Sequence, residues 1–134
     1  MVGQRLSGGC LCGAIRYEAA SYGRAVICHC QMCRRETGAA FATWVSIKLP
    51  DFRLIDGDPV WRRSSAVCAR AHCRDCGSAL FMKYDADGEI AVSLGSLDDA
   101  ADIEPNYSIW TSERLPLAVR VDAHLPQFQG DPTS

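Results

Sequence analysis

Apolar and polar positions alternate along most of this chain with a period of two. Ala14-Ile15-Arg16-Tyr17-Glu18-Ala19, Phe41-Ala42-Thr43-Trp44-Val45-Ser46-Ile47 and Val60-Trp61-Arg62-Arg63-Ser64 carry the pattern, as do Ala79-Leu80-Phe81-Met82-Lys83-Tyr84 and Ile90-Ala91-Val92-Ser93-Leu94. Successive side chains of a strand point to opposite faces, so each stretch predicts a strand with one face toward a core. Turn signals separate them at short intervals: Gly8-Gly9, Ser21-Tyr22-Gly23, Asp56-Gly57-Asp58-Pro59 and Asp85-Ala86-Asp87-Gly88. The last lies between two strand patterns and reads as a hairpin loop. The helical period is weak. A short helical turn is expected after Cys30 and another over Leu97-Asp98-Asp99-Ala100-Ala101-Asp102. Many short strands with frequent turns predict an all-β sandwich or a similar open barrel. Residues Gln127 to Ser134 are expected to be loosely held.

A chain of 134 residues suits a single domain over 1–134, and no repeat, low-complexity tract or linker divides it. With 48% hydrophobic and 22% charged residues it has the balance of a soluble globular protein, able to bury a core without disulfide staples. Met1-Val2-Gly3-Gln4-Arg5 contains no apolar signal region, and no run approaches the ~20 apolar residues of a membrane span. The expectation is a cytoplasmic protein with no membrane partner, in a compartment that keeps thiols reduced. Eight cysteines in that setting read as metal ligands rather than as disulfides.

Charge is uneven although the net is only −2. Residues 33–76 carry Arg34, Arg35, Lys48, Arg53, Arg62, Arg63, Arg70 and Arg74 against five acidic side chains, a local +3. Residues 77–134 carry three basic against ten acidic side chains, a local −7. The basic part brackets the cysteine motifs and would draw in a small anionic substrate, unless these arginines are simply solvated strand faces. A negative net charge, with no basic strip interleaved with aromatics, argues against nucleic acid as a partner.

The densest chemistry is Cys28-His29-Cys30-Gln31-Met32-Cys33, three thiols spaced C-x-C-x-x-C. Zinc takes sulfur ligands in a tetrahedron; a fourth protein ligand makes a structural site, whereas a vacant corner allows chemistry. Cys73-Arg74-Asp75-Cys76-Gly77 is a zinc knuckle supplying two corners, which Cys10 and Cys12 of Gly9-Cys10-Leu11-Cys12-Gly13 can complete. Without a βαβ pattern around it, a redox dithiol is the lesser reading of that knuckle. Cys68 either closes the triplet or is a buried thiol in a strand-like segment, Ser64 to Arg70. His29 and His72 read as neighbours of ligands, and His124 as a surface residue.

Taken together, Gly8-Gly9-Cys10-Leu11-Cys12-Gly13, Cys28-His29-Cys30-Gln31-Met32-Cys33-Arg34, Thr37-Gly38-Ala39-Ala40-Phe41 and Cys73-Arg74-Asp75-Cys76-Gly77-Ser78-Ala79-Leu80 resemble the glutathione-dependent formaldehyde-activating enzyme family, which includes centromere protein V. The resemblance spans about residues 5–128. It implies an Mss4-like all-β fold with two zinc ions. Carried over by position, Cys10, Cys12, Cys73 and Cys76 match the structural zinc ligands, and Cys28, Cys30 and Cys33 those of a catalytic zinc. It also implies a carbon–sulfur lyase that adds glutathione or a similar small thiol to formaldehyde or a related electrophile, or reverses that addition. The chain departs from the family pattern at His72, where phenylalanine is common, at Ser108, where histidine is frequent, and at Leu117, where tryptophan is.

For that chemistry, Arg34, Arg35, Arg62 and Arg63 are candidates to pair with the carboxylates of glutathione. Glu36 and His29 are general-base candidates by proximity alone. The competing expectation is a non-catalytic zinc module that binds a protein partner.

Overall fold

The structure, a computed structural model, describes residues 5–131. In chain order the strands are β1 (Leu6–Gly9), β2 (Arg16–Ala19), β3 (Ala25–Cys28), β4 (Ala42–Lys48), β5 (Phe52–Asp56), β6 (Val60–Arg63), β7 (Cys68–His72), β8 (Ala79–Tyr84), β9 (Glu89–Ser93) and β10 (Tyr107–Ile109), with one helix, α1 (Gln31–Thr37), between β3 and β4. The five alternating stretches become β2, β4, β6, β8 and β9. The all-β expectation holds, with a single seven-residue helix at the site where a short helical turn was expected.

Two sheets form. One has three strands in the order β1-β2-β5, and the other seven in the order β10-β3-β4-β9-β8-β7-β6. Neighbours are antiparallel except β10, which runs parallel to β3. The sheets bury a common core in which Leu6, Ile15 and Tyr17 meet Val45, Ile47, Phe81 and Val92. Tyr17 lies edge-on to Phe81 at 5.2 Å between ring centroids, and Phe52 does so at 5.4 Å, so aromatic edges lock one sheet to the other. β4 is buried on both sides. Its odd positions, Val45 and Ile47, enter this core, while Trp44 on the opposite face joins Val26, Cys28, Cys33 and Ala42 in a second, smaller cluster.

Two sequence expectations change. Gly8-Gly9 is not a turn but the end of β1. A Cβ on Gly8 would meet the Tyr17 hydroxyl at 2.5 Å and the Ser96 carbonyl at 2.6 Å, so glycine there serves close packing. No helix forms over residues 97–102. Leu97 is buried and bridges to Gly8, and Asp98 accepts a hydrogen bond from the Ser7 hydroxyl at 2.7 Å, which turns the segment onto the three-stranded sheet.

The Asp85–Gly88 hairpin loop joins β8 to β9 as expected. Residues 127–131 are exposed, while Met1–Gln4 and residues 132–134 lie outside the described residues. No helix among the described residues is long and apolar enough to cross a membrane.

Candidate functional site

The loop between β1 and β2 carries Cys10 and Cys12, and the loop between β7 and β8 carries Cys73 and Cys76. Their four sulfurs all lie within 4.8 Å of one another. Cys10 and Cys12 Sγ are 3.6 Å apart, and Cys12 and Cys73 Sγ 3.8 Å apart. Ligands bound at ~2.3 Å to a tetrahedral zinc sit ~3.8 Å from each other, so the spacing fits such an ion. Backbone amides already point at the sulfurs. Ile15 N–H donates to Cys10 Sγ at 3.2 Å, and Asp75 N–H to Cys73 Sγ at 3.4 Å. The Ser78 hydroxyl, 3.2 Å from Cys76 Sγ, and the Ser78 amide hold the Cys76 thiol down at about 5. Donors aimed at sulfur favour thiolate, the form a metal needs.

The second cluster is Cys28, Cys30 and Cys33, whose sulfurs also lie within 4.8 Å of one another. β3 delivers Cys28 at its last position, Cys30 caps α1, and Cys33 sits in the first turn. The cap makes the geometry: Cys33 N–H donates to Cys30 Sγ at 3.2 Å, using a helix-terminal amide that has no partner within the helix. Gly38 ends the helix with φ 72° and donates to the Arg34 carbonyl at 2.7 Å. Cys33 Sγ accepts from Trp44 Nε1 and from the Arg70 guanidinium, each at 3.4 Å. The Cys33 thiol is drawn down to about 5, first by a hydrogen bond from Cys28 and, against the cost of burial, by Arg70 and Trp44. Cys28 is pushed far up by that same pairing with Cys33 and by burial.

Both clusters are thus thiol sets able to hold a soft divalent cation. Among the described residues no fourth His, Cys, Asp or Glu joins the triplet. Cys68 is buried at the start of β7 with its Sγ 3.7 Å from the Ala69 carbonyl.

The triplet forms part of the wall of a cavity of about 190 Å³, which Trp44, Arg70, Met82, Tyr84, Tyr107, Ile109 and Trp110 also line. A second cavity, about 230 Å³, adjoins it at Cys30, Arg70, Tyr84 and Trp110 and extends past Gln31, Met32 and Cys68 to Glu113. A third, about 340 Å³, shares Gln31, Met32 and Arg70 with the second and ends at Arg35, Glu36 and Arg62. The cavities thus adjoin one another as a groove of neighbouring hollows between the basic side of α1 and the thiols.

Of the arginines considered from sequence, Arg35 and Arg62 line that groove. Arg34 and Arg63 line none of these cavities. Arg34 Nε donates to the His29 carbonyl at 3.3 Å, and Arg63 forks onto Asp85 at 2.8 and 2.7 Å. Glu36 is ion-paired with Arg62, whose other nitrogen lies 2.9 Å from His72 Nδ1. His29 is buried beside Phe41, with its Nδ1 lacking a hydrogen-bond partner, and lines none of these cavities. Neither general-base candidate faces the triplet cavity.

Sequence reasoning missed Arg70, Trp44 and Tyr84; Tyr107 and Trp110 belong to the segment 105–110, where Ser108 departs from the family pattern. Arg70 lies two residues beyond Cys68 on β7 and so shares its face. Its burial depends on Cys33, which only the fold brings near.

Residues 5–113 match the family described as glutathione-dependent formaldehyde-activating enzyme. Comparison with curated proteins finds no match. Among solved structures, a structural-genomics protein of Rhodobacter sphaeroides aligns with TM-score 0.62 at 23% identity, covering 76% of this chain and 98% of that one. At that identity the likeness concerns the fold.

Proposed function

The chain belongs to the glutathione-dependent formaldehyde-activating enzyme family, and from that membership we propose that it is a zinc-dependent carbon–sulfur lyase. It adds a thiol such as glutathione to formaldehyde or a related small electrophile, or reverses the addition. The observation that carries this reading is the triplet of sulfurs at the wall of a cavity, with no fourth ligand grouped with them among the described residues. An ion held there by three protein sulfurs would have a ligand position to spare for a reactant, as catalytic rather than structural zinc does.

Two ions per chain are proposed. Cys10, Cys12, Cys73 and Cys76 hold a structural one; Cys28, Cys30 and Cys33 hold the catalytic one. When bound, the latter supplies a positive centre that keeps an incoming thiol deprotonated and polarises a carbonyl. The protein's own side chains do the rest. Three thiolates around a divalent ion leave a charge of −1, and the Arg70 guanidinium against Cys33 offsets it inside the protein. Trp44 Nε1–H fixes the Cys33 sulfur from the other side. The groove past Met32 is open to an extended thiol whose carboxylate would pair with Arg35, beside the Arg62–Glu36 pair. In the addition the sulfur–carbon bond forms, the carbonyl π bond breaks, and the thiol proton ends on oxygen.

Cobalt(II) loading tests this. The loaded protein is expected to change its ligand-field spectrum when glutathione is added, because the triplet site has a corner to fill. A fully loaded protein whose spectrum ignores glutathione would sink the proposal.

A further inference from the structure

The inner cavity is larger and less polar than formaldehyde requires. At about 190 Å³ it exceeds the ~150 Å³ that accommodates a benzene molecule, whereas the proposed minimal substrate has one carbon. Trp44, Met82, Tyr84, Tyr107, Ile109 and Trp110 give its wall aromatic, thioether and aliphatic surface. Flat aromatic and thioether surfaces of this kind stack against rings and contribute through contact rather than charge.

The charged groups on its wall are spoken for. Arg24 is paired with Glu89 at 3.4 Å, and Arg70 donates to Cys33 Sγ and to Ser64 Oγ. Asp87 adds a further carboxylate. An anionic guest would thus face Asp87 and Glu89 with no unengaged cation among the described lining residues. The adjoining groove differs, with Arg35, Arg62 and Arg70 on its wall against Glu36 alone, although Arg62 is itself paired with Glu36. The two chambers meet at Cys30, Arg70, Tyr84 and Trp110, beside the triplet.

Building on the lyase reading, we propose that the electrophile of this protein carries an uncharged aromatic or comparably bulky apolar group, which the inner cavity holds while the thiol enters along the arginine-ended groove. The class is an aryl aldehyde. The thiol adds across its C=O, the sulfur joins the carbonyl carbon and the thiol proton passes to the oxygen, giving a hemithioacetal without any redox change. Size and polarity of the inner chamber, not the metal, then set the choice of electrophile.

The test uses the zinc-loaded full chain with its three tryptophans labelled for NMR. Trp44 and Trp110 line the chamber, and Trp61, on β6, lines none of the cavities described above and serves as the internal control. Benzyl alcohol, an unreactive stand-in for an aryl aldehyde, is expected to shift the Trp44 and Trp110 indole signals saturably. Benzoate is expected to bind at least about tenfold more weakly, and methanol to produce no shift. Ala91→Phe, which fills the chamber from β9, should weaken benzyl alcohol by about tenfold or more with two zinc ions retained. If that variant loses its metal, the probe series on the unaltered protein decides alone. Benzoate binding as well as benzyl alcohol, or no shift at Trp44 and Trp110, would overturn the proposal. The cobalt response to glutathione is read separately, so a failed chamber and a failed lyase site give different results.

Discussion

Arg70 is buried almost completely, yet it carries a full charge. Its hydrogen bonds run to Ser64 Oγ at 3.1 Å and to Cys33 Sγ at 3.4 Å, so the sulfur supplies the negative partner that an arginine in this position needs. The same contact works in the other direction, since thiolates packed against one another repel unless a cation offsets them. Replacing the guanidinium by an unbranched apolar chain removes that offset from the triplet, along with the bond to Ser64. Arg70→Met is expected to weaken metal binding at the triplet by ~10–100-fold, the ~1.5–3 kcal/mol of a charge-assisted hydrogen bond, while the four-cysteine site is unaffected. Competition against a chromophoric chelator measures both sites at once. Equal weakening at the two would mean that Arg70 supports the fold rather than the ligands.

At the scale of elements, the connection from β5 to β6 carries the chain from the three-stranded sheet to the seven-stranded one. It turns at Gly57, with φ 89°, where an added Cβ would collide with the Ala14 carbonyl and the Ile15 side chain. Both conformation and space exclude a side chain there. Gly57→Ala is expected to cost ~1–3 kcal/mol of stability, read as a lowered denaturant midpoint at unchanged slope. An unchanged midpoint would show that the crossing can relax. Asp56-Gly57-Asp58-Pro59 was legible as a turn because its residue types are local signals. Alternation of apolar and polar residue types likewise exposed β2, β4, β6, β8 and β9, even though β4 is buried on both sides. It failed where that contrast is absent. β3 is buried at Ala25, Val26 and Cys28, so no period of two survives. β5 is an exposed edge with Leu54 and Ile55 partly open to water. β10 is three residues long and exists only by its parallel pairing with β3. The cysteine groupings were legible from spacing and resemblance. The aromatic wall beside the triplet was not, because Tyr84 ends β8 whereas Tyr107 and Trp110 belong to the segment at β10, and no motif joins the two.

For the molecule as a whole, the two thiol clusters occupy different mechanical positions. Cys10 and Cys12 belong to the three-stranded sheet and Cys73 and Cys76 to the seven-stranded one, so an ion held by all four is a bond between sheets. Other links across that boundary exist, including the exposed Arg16–Asp98 pair and the Tyr17–Phe81 contact. An exposed ion pair contributes at most ~1 kcal/mol. A structural zinc is worth far more, with apparent binding energies of ~10–16 kcal/mol against a typical folding stability of ~5–15 kcal/mol. The triplet, by contrast, lies within β3 and α1, which are covalently adjacent, and its ion spans no boundary. Cys76→Ser is therefore expected to abolish the cooperative thermal transition. Cys30→Ser should melt within a few degrees of the parent and contain one zinc fewer by metal analysis. Graded chelation of the unaltered protein should follow the same order, releasing one ion while near-ultraviolet dichroism is retained and the second together with the fold. If both substitutions unfold the chain alike, the clusters share one structural task, and the triplet has no ion to spare for a reactant.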